Sequence, residues 1–545
     1  MSNESGSVTD ASNHGFESKE SGGRSLSAHF GFAALLSILF LTFLDNTVIS
    51  AVLANVQSAL HEGVSDLQWV VGAYALTFAS LMLISGSLSD DFGRKKIMLI
   101  GVAIFCVGSI VCALANSATA LVVGRVIMGV GAAASEPGTL SMIRHIYPDS
   151  RVRARALGVW AAVSGLALAM GPVLGGALTG FWSWHAVFWF NLAFGGLAFV
   201  AAAITLPESS DPTRKRPDFI GFALGALTIA TATFATILGE SVGYRTRWIL
   251  VLYAVSIISL VIFILFESGA QNPMLDLNFF RNRSFAGSTF VAFASYFSIF
   301  SIFFFVALYL EVVAMSGAYN LAEDFLPLLG GMVLASLFTG RWVGTVGSRV
   351  PMMTGCVIAA VGVALTDFVI GPGAGLGTVG WTMGIAGIGF GIIVVPVTST
   401  ALTSIPAANS GMGASMTNTS RELGAVAGVA ILGSIVNGQL TVNLTQRLAA
   451  MGIPPAYRAQ VITAITTGTI SQQERALSGH SSAAIKLIIH KVVEAAYAAF
   501  TNGLNLALTI SCFLLLGSAV VAYFTGTAES PPGTNFFGQP VRLHS

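Results

Sequence analysis

The stretch GSLSDDFGRKK, Gly86 to Lys96, decides the reading of this chain. It lies between two long apolar runs, Leu67–Leu88 and Ile97–Ala115, so it is expected to be a tight turn at a membrane surface. Gly86 and Gly93 allow close backbone approach and a positive φ. Asp90 and Arg94 stand four apart, within reach of each other on a helical turn. The cluster Arg94, Lys95, Lys96 marks the side as cytoplasmic. A second stretch, GRWVGTVGSR from Gly340 to Arg349, repeats the spacing, with Gly340 and Gly347 in the places of Gly86 and Gly93. Two copies of one turn imply two related halves.

Composition agrees with a membrane location. Of 545 residues, 54% are hydrophobic and 9% charged, against roughly 25% charged in soluble domains. The apolar runs are long enough for spanning helices at about 20 residues each. They fall near 30–56, 67–88, 97–115, 119–143, 155–180, 186–206, 219–239, 248–267, 285–313, 325–343, 351–371, 376–402, 415–438 and 497–525. The expected fold is therefore an all-α integral membrane protein of about fourteen helices. It divides into a polar, disordered cytoplasmic tail (1–28), a six-helix lobe (29–207) and two inserted helices (208–275). A second six-helix lobe (276–528) carries an extracytoplasmic loop at 439–494, and a cytoplasmic tail (529–545) follows. The first tail reads as disordered rather than as a signal peptide, because it lacks a basic segment before an apolar one.

Basic residues orient the chain. Arg144, Arg151, Arg153 and Arg155 follow the fourth span, Arg214, Lys215 and Arg216 the sixth, and Arg281 and Arg283 the eighth. The opposite short loops offer only Arg245 and Arg247. Both termini are expected in the cytoplasm of a cell whose plasma membrane the protein spans. The net charge of +1 says nothing about nucleic acid. The four cysteines fall inside apolar runs, without metal-ligand spacing. No G-x-x-x-x-G-K-[ST] loop occurs, which removes ATP as a direct energy source. The expected partners are a small lipophilic substrate, protons and the bilayer, with no cofactor, for a chain acting as a monomer.

Ionisable residues inside apolar runs are the candidates for chemistry. Asp45 lies in the first span and Arg125 in the fourth; Glu136 follows Arg125 by eleven residues, near the same helical face. A carboxylate out of water bears a desolvation cost for its charge, and one whose surroundings change can take up and release a proton. The lesser reading of Asp45 is a polar staple between helices, and Glu136 can equally sit in water. Arg421 and Glu422 read most simply as a charge pair at the membrane edge. Glu311, Asp367 and Glu422 are candidate cavity acids. In the fifth span, Gly158, Gly171, Pro172, Gly175 and Gly176 cluster around a helix-kinking proline, and small residues four apart let helices close tightly.

In this order the motifs resemble the major facilitator superfamily, in its fourteen-helix drug/proton antiporter branch. Gly86, Leu88, Asp90, Gly93, Arg94 and Lys95 match the loop between helices two and three. Asp45 with Thr47 matches the first-helix pattern. Leu121, Arg125, Gly129 and Gly131 match the fourth-helix arginine motif, and Gly158, Gly171, Pro172, Gly175 and Gly176 the antiporter motif of helix five. Glu136 departs from the pattern, adding an acid where the family is usually apolar. The resemblance implies alternating access, with Asp45, Glu136 and Arg125 in proton coupling. Gly86, Asp90, Gly93 and Arg94, with Gly340, Gly347 and Arg349, would gate the cytoplasmic side. Gly171 to Gly176 would seal helix five against the other lobe. A dedicated exporter of one endogenous product and a non-transporting membrane sensor are the alternative readings.

Overall fold

A computed structural model describes residues 13–60, 64–209, 218–270, 273, 275–312, 318–370, 376–450 and 483–526. Fourteen helices in the described residues are long and apolar enough to cross a membrane. They are α1 Asn13–Leu60, α2 Val64–Phe92, α3 Arg94–Ala113, α4 Ala118–Ile146, α5 Ser150–Phe181, α6 His185–Thr205 and α7 Phe219–Val242. The series continues with α8 Arg247–Gly269, α9 Arg283–Val312, α10 Ala318–Val346, α11 Arg349–Val369, α12 Leu376–Thr403, α13 Ser410–Ala450 and α14 Ala483–Thr525. Each closes its hydrogen bonds internally, as a spanning segment must. Polar residues start several of them: Ser117 accepts from the Ala120 N–H at α4, and Asp218 from the Gly221 N–H at α7.

The repeat read from the two glycine pairs is real at the backbone. Gly93 breaks α2 from α3 at φ 110°, and Gly347 breaks α10 from α11 at φ 78°. A side chain at either position would be strained. Helix pairing repeats in the same way. Within the first lobe α3 packs on α4, α2 on α4, α1 on α5 and α3 on α6; within the second, α11 packs on α12, α10 on α12, α9 on α13 and α11 on α14. The lobes meet along two seams, α5 against α10 and α2 against α13.

Helices α7 and α8 pair with each other, and α7 lies over the α2–α13 seam. Phe222 and Ile229 of α7 share one apolar cluster with Ala79 and Leu83 of α2 and Met412 of α13. The outer face of α8 presents Leu250, Val251, Ile257, Ile258 and Leu265, as expected of a helix solvated by lipid.

Helix extends beyond the expected spans in two places. α1 begins at Asn13, inside the stretch expected to be a disordered tail; residues 1–12 lie outside the described residues. α13 runs to Ala450 and α14 starts at Ala483, so both ends of the expected 439–494 loop are helical. Residues 451–482 and the expected tail at 529–545 lie outside the described residues. At about 1.5 Å per residue, the 41 residues of α13 and 43 of α14 are roughly twice as long as a 30 Å hydrocarbon core requires. Leu440, Leu444 and Leu448, one turn apart, are buried on the projecting part of α13. That stripe is why the helix continues past the bilayer.

Candidate functional site

Asp45 and Arg125 form an ion pair within the first lobe, both fully buried. Asn191 of α6 donates Nδ2–H to the other Asp45 oxygen at 2.8 Å. Arg125 also donates Nε–H to the Val70 carbonyl at 3.1 Å, and its guanidinium lies 4.3 Å from the Tyr74 ring centroid. The charge is thus matched by a carboxylate, a carbonyl and an aromatic face. This is how an arginine becomes tolerable at membrane depth.

Glu136 does not join that pair. Eleven residues of helix separate it from Arg125, about 16 Å along the axis, and it turns to the other lobe instead. Asn418 of α13 donates Nδ2–H to Glu136 Oε1 at 3.1 Å. The Asn418 side-chain Oδ1 accepts from Arg421 Nη1 at 2.8 Å, and Arg421 Nη2 donates to the Thr398 hydroxyl of α12. The Arg421 guanidinium lies 5.5 Å from the ring centroids of both Trp160 on α5 and Tyr296 on α9. Trp160 in turn donates its indole N–H to Thr139 Oγ1 at 3.1 Å. Arg421 is therefore no membrane-edge residue. It is 3% exposed and stands eleven residues into α13, about 16 Å from its start. Glu422, beside it, is partly buried.

A third cluster closes one end of the lobe interface. Asp90 takes the N–H groups of Gly411 and Met412, both at 2.9 Å, at the first turn of α13. Arg94 bonds Asp90 Oδ1 from Nε at 3.0 Å and Nη2 at 2.7 Å. It also reaches the Ala407 and Ala408 carbonyls at 3.2 and 3.1 Å, and Ser209 Oγ at 2.9 Å. Arg144 of α4 donates to the Leu402 and Ile405 carbonyls at the end of α12. A carboxylate thus stands on a helix N-terminus and a guanidinium on a helix C-terminus, each matched in sign to the local dipole. Gly86 abuts Gly411 and Ser415 so closely that no Cβ fits. Arg144, read from sequence only as a topology marker, is part of this lock; its place in the last turn of α4 was the available signal.

The repeated turn behaves differently. Arg349 donates Nε–H to the Gly526 carbonyl at 3.0 Å and lies over Tyr523, both in its own lobe. The backbones meet here, where a Cβ on Gly340 would stand 2.6 Å from the Ala154 carbonyl of α5. In α5 the seal against the other lobe lies at Gly158, whose Cβ would meet the Ser336 carbonyl at 2.7 Å, and at Gly165, against Met332 and Val333. The expected seal at Gly171–Gly176 is corrected: Gly171 packs on Thr47 and Val48 of α1, and Gly176 has nothing within 4 Å. Gly175 is buried, and Pro172 sits inside α5 without ending it. Asp367 accepts from Thr509 Oγ1 at 3.0 Å between α11 and α14, inside its lobe. The Glu311 side chain lies outside the described residues.

Residues 35–429 match the Major Facilitator Superfamily. The Multidrug resistance protein Stp of Mycobacterium tuberculosis is 30% identical over 420 residues, covering 77% of this chain and 78% of its own. The Methylenomycin A resistance protein of Bacillus subtilis is 30% identical over 408 residues, covering 74% and 87%. The Tetracenomycin C resistance and export protein of Streptomyces glaucescens is 26% identical, covering 89% of each chain. Among solved structures, the human organic anion transporter MFSD10 (TETRAN) superposes with a TM-score of 0.57 at 14% identity, covering 90% of this chain and 99% of that one; at that identity the likeness concerns the fold. Two six-helix lobes of repeated pairing, an inserted helix pair and these matches place the chain in the Major Facilitator Superfamily of transporters.

Proposed function

We propose that this protein is a proton-coupled exporter of lipophilic, drug-like molecules that works by alternating access. The observation that carries the reading is the Glu136–Asn418 hydrogen bond across the lobe interface. An ionisable group joined to the other lobe must change its surroundings when the lobes part, and that change couples protonation to access. The relatives named for multidrug resistance and for antibiotic resistance and export support the same reading.

The locked end carries Arg94, Lys95, Lys96, Arg144, Arg151, Arg153 and Arg155, so it faces the cytoplasm of a cell whose plasma membrane the chain spans. The conformation is then outward-facing, with both termini inside. A proton arriving from outside neutralises Glu136 or the Asp45 site, cargo leaves, and deprotonation to the cytoplasm resets the site. A proton falling through 100 mV supplies about 2.3 kcal/mol, roughly a fiftyfold gradient of a neutral cargo. The chain acts as a monomer on the proton gradient alone, without cofactor, ATP or nucleic acid. A single dedicated cargo is the second reading, favoured by relatives named for one antibiotic each.

Reconstitution tests this. In proteoliposomes with an imposed pH gradient, cargo addition is expected to release internal pH changes that Asp45→Asn and Glu136→Gln each reduce about tenfold or more. Uphill transport at full speed after a protonophore has collapsed the gradient overturns the reading.

A further inference from the structure

The two seams between the lobes are finished differently at the locked end. At α2–α13 the chain supplies its own anion, Asp90, and α7 lies over the join. At α5–α10 the chain brings two cations together. Gly340 stands so near α5 that a Cβ on it would lie 2.9 Å from Arg155 Cα, and Arg341 is the next residue. Arg155 and Arg341 are both exposed, and neither has a hydrogen bond or an ion pair among the described residues. Asp149, the acid at the start of α5, is engaged by the Arg151 and Val152 N–H groups. Closing the lobes therefore sets two guanidinium groups side by side at the edge of a low-dielectric layer, where their repulsion is poorly screened.

Helix geometry puts both groups at the head of one groove. α5 and α10 run antiparallel, since Gly158 meets Ser336 and Gly165 meets Val333. At about 100° per residue, Arg155 and Leu166 stand roughly 60–80° round α5 from Gly158. On α10, Arg341, Leu334 and Phe338 stand roughly 100–160° round from Gly340. In antiparallel helices these rotations turn to the same side of the seam. Leu166 and Val173 of α5 and Leu334 and Phe338 of α10 are all exposed, so the groove is apolar beyond the arginines. Each arginine lies about 8 Å inside the end of its helix, close to the 5–8 Å or so of a headgroup layer.

We propose that this groove binds one anionic phospholipid of the cytoplasmic leaflet, and that the lipid clamps the two lobes at their locked end. Its phosphate lies between Arg155 and Arg341, where each planar fork can meet two phosphate oxygens. Its acyl chains run over Leu166 and Phe338. The phosphate cancels the repulsion that closure creates, and it can serve both arginines only while the lobes are together. Anionic lipid accordingly favours the outward-facing arrangement and slows its return. The seam without an Asp90 takes its counter-charge from the bilayer. The placement rests on the cytoplasmic orientation given above and on neither cargo nor proton.

The test uses the full chain in nanodiscs of dioleoylphosphatidylcholine, with or without dioleoylphosphatidylglycerol. Native mass spectrometry is expected to show one retained phosphatidylglycerol. Arg155→Gln and Arg341→Gln should each weaken its retention about fivefold. Lys96→Gln removes the same charge from an exposed residue at the same end of the molecule and should leave retention unchanged. Spin labels on α5 and α10 should report a shorter, narrower distance with phosphatidylglycerol in the unaltered protein, and no such change in either arginine variant. Equal weakening by Lys96→Gln reduces the effect to surface charge and overturns the site. Closure by inorganic phosphate in pure phosphatidylcholine overturns the lipid as occupant. Retention that depends on both arginines but leaves the distance unmoved overturns the clamp. No cargo or gradient is present, so each failure leaves the proton-coupled reading standing.

Discussion

Arg125 shows how much one residue depends on its partners. Its guanidinium serves Asp45, the Val70 carbonyl and the Tyr74 ring at once, a division of labour that a planar fork can manage and a point charge cannot. Arg125→Ala leaves Asp45 buried without its cation, and breaking such a pair costs about 3–5 kcal/mol. The expected outcome is a large drop in melting temperature in detergent. Asp45→Ala combined with Arg125→Ala should cost less than the sum of the two single changes, and strict additivity would show that the pair contributes no coupling. Asp45 and Arg125 were both legible in the sequence as charges in apolar runs. Their pairing was not, because spacing along α4 offered Glu136 as the nearer companion and only the packing of α1 against α4 brings Asp45 there.

At the scale of elements, the two halves cap equivalent helices by different means. The first N–H groups of α13, at Gly411 and Met412, are taken by Asp90 from the opposite lobe. The equivalent groups of α5, at Arg151 and Val152, are taken by Asp149 from the adjoining turn, both at 2.9 Å. Gly344, the counterpart of Asp90 by the glycine spacing, brings no side chain, and a Cβ there would stand 3.5 Å from Arg151 Cα. The Asp90 carboxylate therefore has no counterpart side chain at position 344. Asp90→Ala should open the locked end, seen as longer distances between spin labels on α5 and α10. Asp149→Ala should cost about 1 kcal/mol of stability, the worth of an N-cap, and leave those distances unchanged. If both variants open the end equally, the asymmetry has no mechanical meaning. The N–H of Val152, with that of Arg151, holds the Asp149 carboxyl below the usual carboxylate range. Its capping contribution is thus present above the ordinary carboxylate value and is lost as the pH falls through the depressed one. The turn and its repeat were readable from glycine spacing, whereas the hold of Asp90 on the first turn of α13 appears only when the two lobes are seen together in space.

For the whole molecule, closure is a matter of backbones meeting. The lobes touch at Gly158 and Gly340, where the nearest backbone atoms leave no room for a methyl group. Gly158→Ala is expected to hold the locked end partly open and reduce transport, while Gly176→Ala, with nothing within 4 Å, should behave as the unaltered protein. The same spin-label distances check both; an unchanged distance in Gly158→Ala would mean that the lobes close elsewhere. The inserted pair adds a second constraint. α7 touches α2 and α13 through the apolar side chains of that cluster, a kind of contact that is non-directional and tolerates sliding as one lobe tilts past the other. Among the described residues only the α2–α13 seam is covered in this way; on the helices of the other, Leu166 and Val173 of α5 and Leu334 and Phe338 of α10 are exposed.

The sequence by itself determined the membrane class, the fourteen spans, the halving of the chain and the residues too costly to place in lipid without purpose. Those properties are local: hydropathy over about 20 residues, glycine at fixed spacing, charge inside an apolar run. Tertiary structure decided which acid meets which base, where helix five touches the opposite lobe, and that Arg421 and Glu422 lie deep. The polar run from Ser415 to Glu422 looked like a membrane edge because hydropathy registers composition and not direction. Ser415, Asn418 and Arg421 of that run turn toward the other lobe, where Gly86, Glu136 and the face of Trp160 replace water, and only the folded pair of lobes supplies that solvent.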